Sequence, residues 1–166
     1  AITLKKNIIT GNSKKIDGIR ADSGKLILSS NTISSCSRAI ILSSKVKGTV
    51  YPNTFKKNTY NNVKVNSSYV NTLTVKSLSG KSKSAKTATL NWKKLSSASG
   101  YVVYRSASKN GSYTKISTIK KNKTITYKDS KLKRKSTYYY KIVPYTTIGK
   151  TTVYGLDSKI VSIKIK

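Results

Sequence analysis

Histidine, methionine, glutamate and glutamine are absent from this chain, and its whole acidic complement is Asp17, Asp22, Asp129 and Asp157. Without imidazole and with so few carboxylates, most acid–base enzyme chemistry is excluded, since it draws chiefly on His, Glu and Asp. Cys36 stands alone, so an internal disulfide framework is excluded as well. No stretch approaches the roughly 20 apolar residues of a membrane-spanning helix. No charged segment leads into an apolar one in the manner of a secretory leader. Membrane insertion is therefore not expected. The chain opens on Ala1 rather than Met, which leads to the expectation of a processed or excised piece.

What is present in excess is positive charge. Against 4 acids stand 34 Lys and Arg, a net charge of +30 on 18.2 kDa. Residues 1–72 hold 12 bases and 2 acids, and residues 73–166 hold 22 and 2, so the second stretch carries +20 of the total. Hydrophobic residues make up 36% and tyrosines number 12. Because β-branched and aromatic residues run the whole length, the chain can build small cores and is not a disordered basic tail.

An imperfect repeat organises the first stretch. Asn7-Ile8-Ile9-Thr10-Gly11-Asn12, Asn31-Thr32-Ile33-Ser34-Ser35-Cys36 and Asn53-Thr54-Phe55-Lys56-Lys57-Asn58 share an Asn-x-apolar-x-x-Asn/Cys pattern, spaced by 24 and 22 residues. Between them lie short apolar runs at matching phase, such as Lys25-Leu26-Ile27-Leu28 and Gly48-Thr49-Val50-Tyr51. Repeats of this length made of very short strands cannot bury an apolar face alone and have to stack. The expectation is an all-β chain whose residues 1–72 form a short parallel β-solenoid of three coils. Asn7, Asn31 and Asn53 would form a hydrogen-bonded ladder, and Ile9, Ile33 and Phe55 an inward stack. Cys36 would take the position of Asn12 and Asn58 as a buried structural residue.

From about Leu73 the period changes to longer strands with strict alternation, the mark of half-buried β-structure. Expected strands run from Leu73 to Leu78, Ala88 to Trp92, Tyr101 to Arg105, Tyr113 to Ile119, Thr124 to Asp129, Thr137 to Tyr145 and Ser158 to Ile165. Turn signals every 8–15 residues match a seven-stranded antiparallel β-sandwich. The boundaries are therefore set at 1–72 and 73–166.

Trp92, Gly100-Tyr101-Val102-Val103-Tyr104-Arg105, Ser108-Lys109-Asn110-Gly111-Ser112-Tyr113, Tyr127-Lys128-Asp129, Leu132 and Tyr138-Tyr139-Tyr140-Lys141-Ile142 together resemble a bacterial fibronectin type III domain. The resemblance covers about 73–166. It implies that Trp92 lies in the core and that Tyr138 is the corner tyrosine. Residues 1–72 resemble the last coils of a right-handed parallel β-helix of the pectate-lyase-like class.

Helices of that class often host polysaccharide lyases and hydrolases, which makes Asp17 and Asp22 flanking Arg20 the candidates for a Ca²⁺ or uronate site. Ca²⁺ takes six to eight oxygens, and hydrolases need clustered carboxylates. Two aspartates do not suffice, and turn-capping roles fit them better. Ser–Lys neighbours carry no signal in a chain this rich in both. There is no phosphate loop, no zinc spacing and no Arg-Gly-Asp tripeptide. No metal, cofactor or catalytic residue is expected.

Charge is what remains, densest at Lys120-Lys121-Asn122-Lys123, read as a hairpin turn, and at Lys131-Leu132-Lys133-Arg134-Lys135 in the corner before Tyr138. A net charge this large repels itself and attracts polyanions. The expected polyanion-binding residues are therefore Lys120, Lys121 and Lys123 in the one cluster and Lys131, Lys133, Arg134 and Lys135 in the other. Expected partners are anionic cell-wall polymers or acidic polysaccharides, with nucleic acid bound only non-specifically because no recognition motif is present. The function expected is a non-catalytic, secreted or surface-attached bacterial spacer or adhesion module. Two alternatives stay open: the C-terminal part of a β-helix lyase or hydrolase whose active site precedes Ala1, and a surface filament subunit self-associating through open solenoid ends.

Overall fold

A computed structural model describes residues 1–11, 17–58, 60–70 and 72–166. Asn12 and Ile16, both part of the repeat pattern, lie outside the described residues. The strands are β1 (Ile2–Lys5), β2 (Ile8–Thr10), β3 (Ile19–Ala21), β4 (Gly24–Ser29), β5 (Thr32–Ser34), β6 (Arg38–Leu42), β7 (Val46–Val50), β8 (Thr54–Lys56), β9 (Tyr60–Val65) and β10 (Ser68–Val70). They continue with β11 (Ser79–Lys81), β12 (Ala88–Asn91), β13 (Gly100–Ser106), β14 (Thr114–Ile119), β15 (Thr126–Asp129), β16 (Thr137–Ile148), β17 (Thr151–Tyr154) and β18 (Val161–Lys164). Among the described residues no helix is long and apolar enough to cross a membrane.

The chain divides into two compact units, one of residues 1–72 with 146–155 and the other of residues 73–145 with 156–166. A single cut after residue 72 thus misses one feature, because residues 146–155 group with the first unit. The sequence reading placed no strand there.

In the first unit the chain enters three sheets in turn and then repeats the order. β1, β4 and β7 pair in parallel, as do β2, β5 and β8, and β3, β6 and β9. The register puts Ile9 beside Ile33 and Ile33 beside Phe55, with Ile33 fully buried. Leu28, Ala39, Ile40, Leu42, Val46 and Val65 fill the rest of this core.

At the turn before β2, β5 and β8, each asparagine carbonyl accepts from the asparagine one repeat earlier. Asn31 Oδ1 accepts from Asn7 N and Asn7 Nδ2, both at 3.0 Å, and Asn53 Oδ1 accepts from Asn31 N at 2.9 Å and Nδ2 at 3.0 Å. Asn31 Nδ2 also donates to Leu4 O at 3.0 Å. Lys6 and Ser30, just before the first two ladder asparagines, have φ of 58° and 55°. This left-handed backbone turns the chain sharply and aims the following side chain along the stack. Cys36 is buried, its N–H donating to Asn58 Oδ1 at 2.9 Å and its thiol to Ser34 O at 3.1 Å.

Residues 146–155 cover one end of this unit. β17 pairs in parallel with β7, Thr152 beside Thr49 and Val153 beside Val50. Thr151 Oγ1 donates to Val46 O at 2.9 Å, and a side chain at Gly48 would meet Thr151 at 3.0 Å. The Tyr51 and Tyr154 rings stack with centroids 5.0 Å apart and planes 7° from parallel. β10 covers β9 by an antiparallel pairing.

The second unit is a sandwich. One antiparallel sheet has the order β11-β12-β15. In the other, β13 lies between β14 and β16, and β18 pairs with β16. The first strand is Ser79–Lys81 rather than Leu73–Leu78. Alternation there marks burial, with Val75 in the core and Leu73 and Leu78 packed against it; the segment pairs through a single parallel bridge of Thr74 with Leu156, and pairing with β12 begins only at Ser79. Tyr101, Tyr140, Leu90 and Ile142 are fully buried, and Trp92 packs edge-on to Tyr101 at 5.4 Å.

A polar network crosses this core. Tyr140 Oη donates to Asp129 Oδ2 at 2.9 Å, and Arg105 NH1 donates to the same oxygen at 3.0 Å and to Oδ1 at 3.3 Å. Burial, then the Asp129 charge and hydrogen bond, push the Tyr140 hydroxyl far above its ordinary pKa of 10.0. Above pH 10 the unfolded chain loses this proton while the folded chain keeps it, so stability is full below pH 10 and falls as pH rises. One such group contributes a slope of about 1.4 kcal/mol per pH unit. Tyr140→Phe is therefore expected to show a shallower alkaline fall than the parent when melting is followed between pH 9 and 11.5. Parallel curves would refute this.

Candidate polyanion-binding site

Lys131, Lys133, Arg134 and Lys135 occupy the turn from β15 into β16. Leu132, 3% exposed, anchors the turn in the core while the four cations stand outward. The turn is held at several points. Tyr138 Oη accepts from Lys133 N at 3.2 Å, placing Tyr138 as the corner tyrosine, and the Arg105 guanidinium lies 5.4 Å from the centre of its ring.

The same turn gathers cations from elsewhere. Leu132 N donates to Lys86 O at 3.0 Å, Lys86 N to Lys166 O at 3.3 Å, and Lys135 N to Ile165 O at 2.9 Å. These bonds bring Lys86, Lys164 and Lys166 to the corner. Two adjoining hollows result, one lined by Lys86, Lys131, Leu132, Lys133, Arg134 and Tyr138, the other by Arg134, Lys135, Lys164, Ile165 and Lys166. Arg134 borders both, and no acid lines either. The nearest acid in sequence, Asp129, is committed to Arg105 and Tyr140.

Lys120, Lys121 and Lys123 are not part of this gathering. Their loop is no hairpin, because β14 pairs with β13 and β15 pairs with β12 in the other sheet. It crosses between sheets and enters β15 at Thr126, whereas the basic corner leaves β15 at Asp129. The two clusters lie at opposite ends of that strand, at least about 10 Å apart. Near the first cluster are Lys93 and Lys94: Asn122 Nδ2 donates to Ser96 O and Asn122 O accepts from Tyr101 Oη, both at 3.4 Å. The seven expected residues thus lie in the fold as the same two separate clusters that they form in the sequence.

In the first unit, Asp17 and Asp22 are both engaged by Arg20, at 3.1 Å and 3.8 Å. Among the described residues no three His, Cys, Asp or Glu group to hold a metal ion. The fourth acid, Asp157, pairs with Lys141 at 2.7 Å.

The sequence matches no protein-family model and no curated protein. Among solved structures, the chicken CNTN1 FN1–FN3 domains match with a TM-score of 0.50 and 17% identity, over 63% of this chain and 35% of that one. The structural neighbours are fibronectin type III domains. A Fn3-like protein from Clostridium thermocellum is 29% identical over 54% of this chain and 88% of its own, with a TM-score of 0.47. The sixth fibronectin type III domain of human fibronectin type III domain containing protein 3 is 19% identical, with 58% and 87% covered and a TM-score of 0.47.

Within the fibronectin type III-like unit, Lys86, Lys164 and Lys166 are the site residues that sequence reasoning missed. For the last two a signal existed. In Ile163-Lys164-Ile165-Lys166 the isoleucines are buried and the lysines exposed, so alternation alone projects both lysines from the last strand. Lys86 has no such mark. Its place follows from the hydrogen bonds that its backbone makes to Leu132 and Lys166.

Proposed function

We propose that this chain is a non-catalytic module of a secreted or surface-attached bacterial protein that holds anionic glycopolymers, whether cell-wall polymers or acidic polysaccharides. What carries the reading is the basic corner of the fibronectin type III-like unit, where cations from three separate segments meet with no acid among them. Nucleic acid is bound only through its charge, since the tyrosines at and beneath the basic corner are engaged: Tyr138 lies against Arg105, and Tyr101 and Tyr140 are buried. Extracellular placement is supported by the fold, which is common outside cells.

The first unit is read as a short parallel β-solenoid of three coils, like the end of a right-handed β-helix. Support comes from the three sets of parallel pairs and from ladder spacings of 24 and 22 residues. A filament built through both ends of this unit is the poorer fit, because β17 already pairs with β7.

Salt-titrated binding is the test, run beside an unrelated protein of matched charge. Pectate, a polyol-phosphate polymer, single- and double-stranded DNA and a neutral glycan serve as probes. At least one acidic glycopolymer is expected to stay bound above about 0.3 M salt, where screening reduces generic attraction, while DNA and the control are released. Release of every polyanion together with the control would overturn the reading.

A further inference from the structure

The corner gathers seven cations and the loop before β15, counted with Lys93 and Lys94, five, and the two differ in construction. At the loop before β15, the lysines sit on one crossing segment, closed by Thr124 N donating to Lys121 O at 3.1 Å and tied to the 92–101 stretch by Trp92 N donating to Ile125 O at 3.0 Å and by two bonds of Asn122 at 3.4 Å. At the corner after β15, the backbone beneath the cations is tied from several directions. Ile165 N donates to Ser136 O and Lys135 N to Ile165 O, each at 2.9 Å, and Lys166 N donates to Ser82 Oγ at 3.1 Å. A cation on a fixed backbone gives up less freedom when it meets an anion, so the corner is the better prepared surface.

Backbone conformation separates them further. Lys86, Lys131 and Lys135 have φ of 59°, 60° and 59°, the left-handed region that glycine and asparagine occupy readily and other residues resist. Where a tight turn needs this conformation and nothing else, Gly or Asn is the easier choice. All three such positions at this corner carry lysine, as Lys6 and Lys57 do in the first unit, whereas none of Lys120, Lys121 and Lys123 has a positive φ, so the turn fixes the backbone of the corner's lysines in a way that the loop's lysines lack.

We propose that the corner, and not the loop before β15, is the seat of the anionic chain. The polymer runs through the two hollows with Arg134 at their junction. It is one whose repeating unit carries a single oxyanion, carboxylate or phosphodiester, on a sugar or polyol backbone. The Arg134 fork takes one oxyanion at the junction in a bidentate contact, and the lysines on either side take its neighbours as point charges. This assignment rests on the glycopolymer reading above and adds to it the location, the path and the central residue.

The experiment compares two variants of the full chain that lose equal charge. The corner variant carries Lys86→Asn, Lys131→Asn, Lys135→Asn, Lys133→Gln and Arg134→Gln; asparagine tolerates the left-handed backbone, so folding is preserved, and melting curves check this. The loop variant carries Lys93→Gln, Lys94→Gln, Lys120→Gln, Lys121→Gln and Lys123→Gln. Polygalacturonate and polyglycerol phosphate are the probes, and their separate affinities distinguish the carboxylate from the phosphodiester source.

With the corner variant, the slope of log affinity against log salt is expected to shrink by about four, at roughly 0.7–0.9 per lost contact, and affinity at 0.1 M salt to fall on the order of 100-fold. The loop variant should stay within about threefold of the parent, and Arg134→Lys, which keeps the charge and loses the fork, should bind measurably less tightly than the parent. If the parent holds the polymers and both variants lose equally, or the loop variant loses more, the corner assignment is overturned while the glycopolymer reading stands. A parent that holds neither polymer better than DNA overturns both.

Discussion

Replacing Asn31 with Ala is expected to destabilise the first unit by about 3 kcal/mol. The residue is fully buried, and its side chain makes four hydrogen bonds: it accepts from Asn7 N and Nδ2 and donates to Leu4 O and Asn53 Oδ1. Truncation strands partners on both sides, each worth about 1–1.5 kcal/mol where water cannot reach. Asn7 lies at the exposed end of the ladder, where water replaces what is lost, so Asn7→Ala should cost no more than about 1 kcal/mol. Asn53→Ala removes the acceptor of Asn31 N and Nδ2 and should fall between them. At roughly 2–4 °C per kcal/mol for a chain of this size, Asn31→Ala shifts the melting temperature by about 10 °C. Thermal unfolding by circular dichroism reads this directly. An Asn31→Ala variant within about 0.5 kcal/mol of the parent would show that the ladder is decoration on a core held by Leu28, Ile40 and Leu42.

The second large effect is expected at Asp129. Its carboxylate, 8% exposed, accepts three hydrogen bonds, two from Arg105 and one from Tyr140. Asp129→Asn keeps the shape but presents a donor where an acceptor is needed, so one of the donors around it faces an N–H. The Arg105 charge also loses its pair. Removing one partner of a buried pair costs about 3–5 kcal/mol. Because Arg105 is 34% exposed and can turn to solvent, the lower end, about 3 kcal/mol, is expected. A double-mutant cycle with Tyr140→Phe measures the coupling: the two substitutions should cost less together than the sum of their separate costs, because they remove one shared hydrogen bond. Strict additivity would mean that the Tyr140 hydroxyl draws nothing from the carboxylate.

These two substitutions also show which kinds of contact were legible beforehand. The asparagine ladder was readable because parallel stacking places equivalent residues side by side, so a repeat of 24 and 22 residues becomes a column of identical groups. Nothing comparable marks Asp129. Its partners stand 24 and 11 residues away in an antiparallel sandwich, where neighbours are set by strand order and register rather than by a period. The same distinction explains the misplaced first strand of the sandwich: alternation from Leu73 to Leu78 correctly marks Val75 as a core residue, but it carries no information about where β12 begins to pair.

Cation clusters divide the same way. Lys131, Lys133, Arg134 and Lys135 are adjacent in sequence, and adjacency guarantees proximity. Lys120, Lys121 and Lys123 form a second run of the same kind, and β15, lying between the two runs, separates them by its own length. Conversely, Lys86 and Lys166 are remote in sequence and meet through one backbone hydrogen bond.

From the sequence alone came the properties that depend on composition and period: all-β structure, the change of architecture near Leu73, the ladder and a charge of +30. Each is local or repetitive, so a short window contains the whole physical cause. Only the tertiary structure decided that residues 146–155 pair with β7 in the first unit, that Asp129 holds Arg105 and Tyr140, and that one cation cluster collects further lysines while the other stays apart. Those outcomes depend on which strands lie next to each other, and strand adjacency is a property of the folded sheets as wholes, set by the joint burial of every apolar face at once.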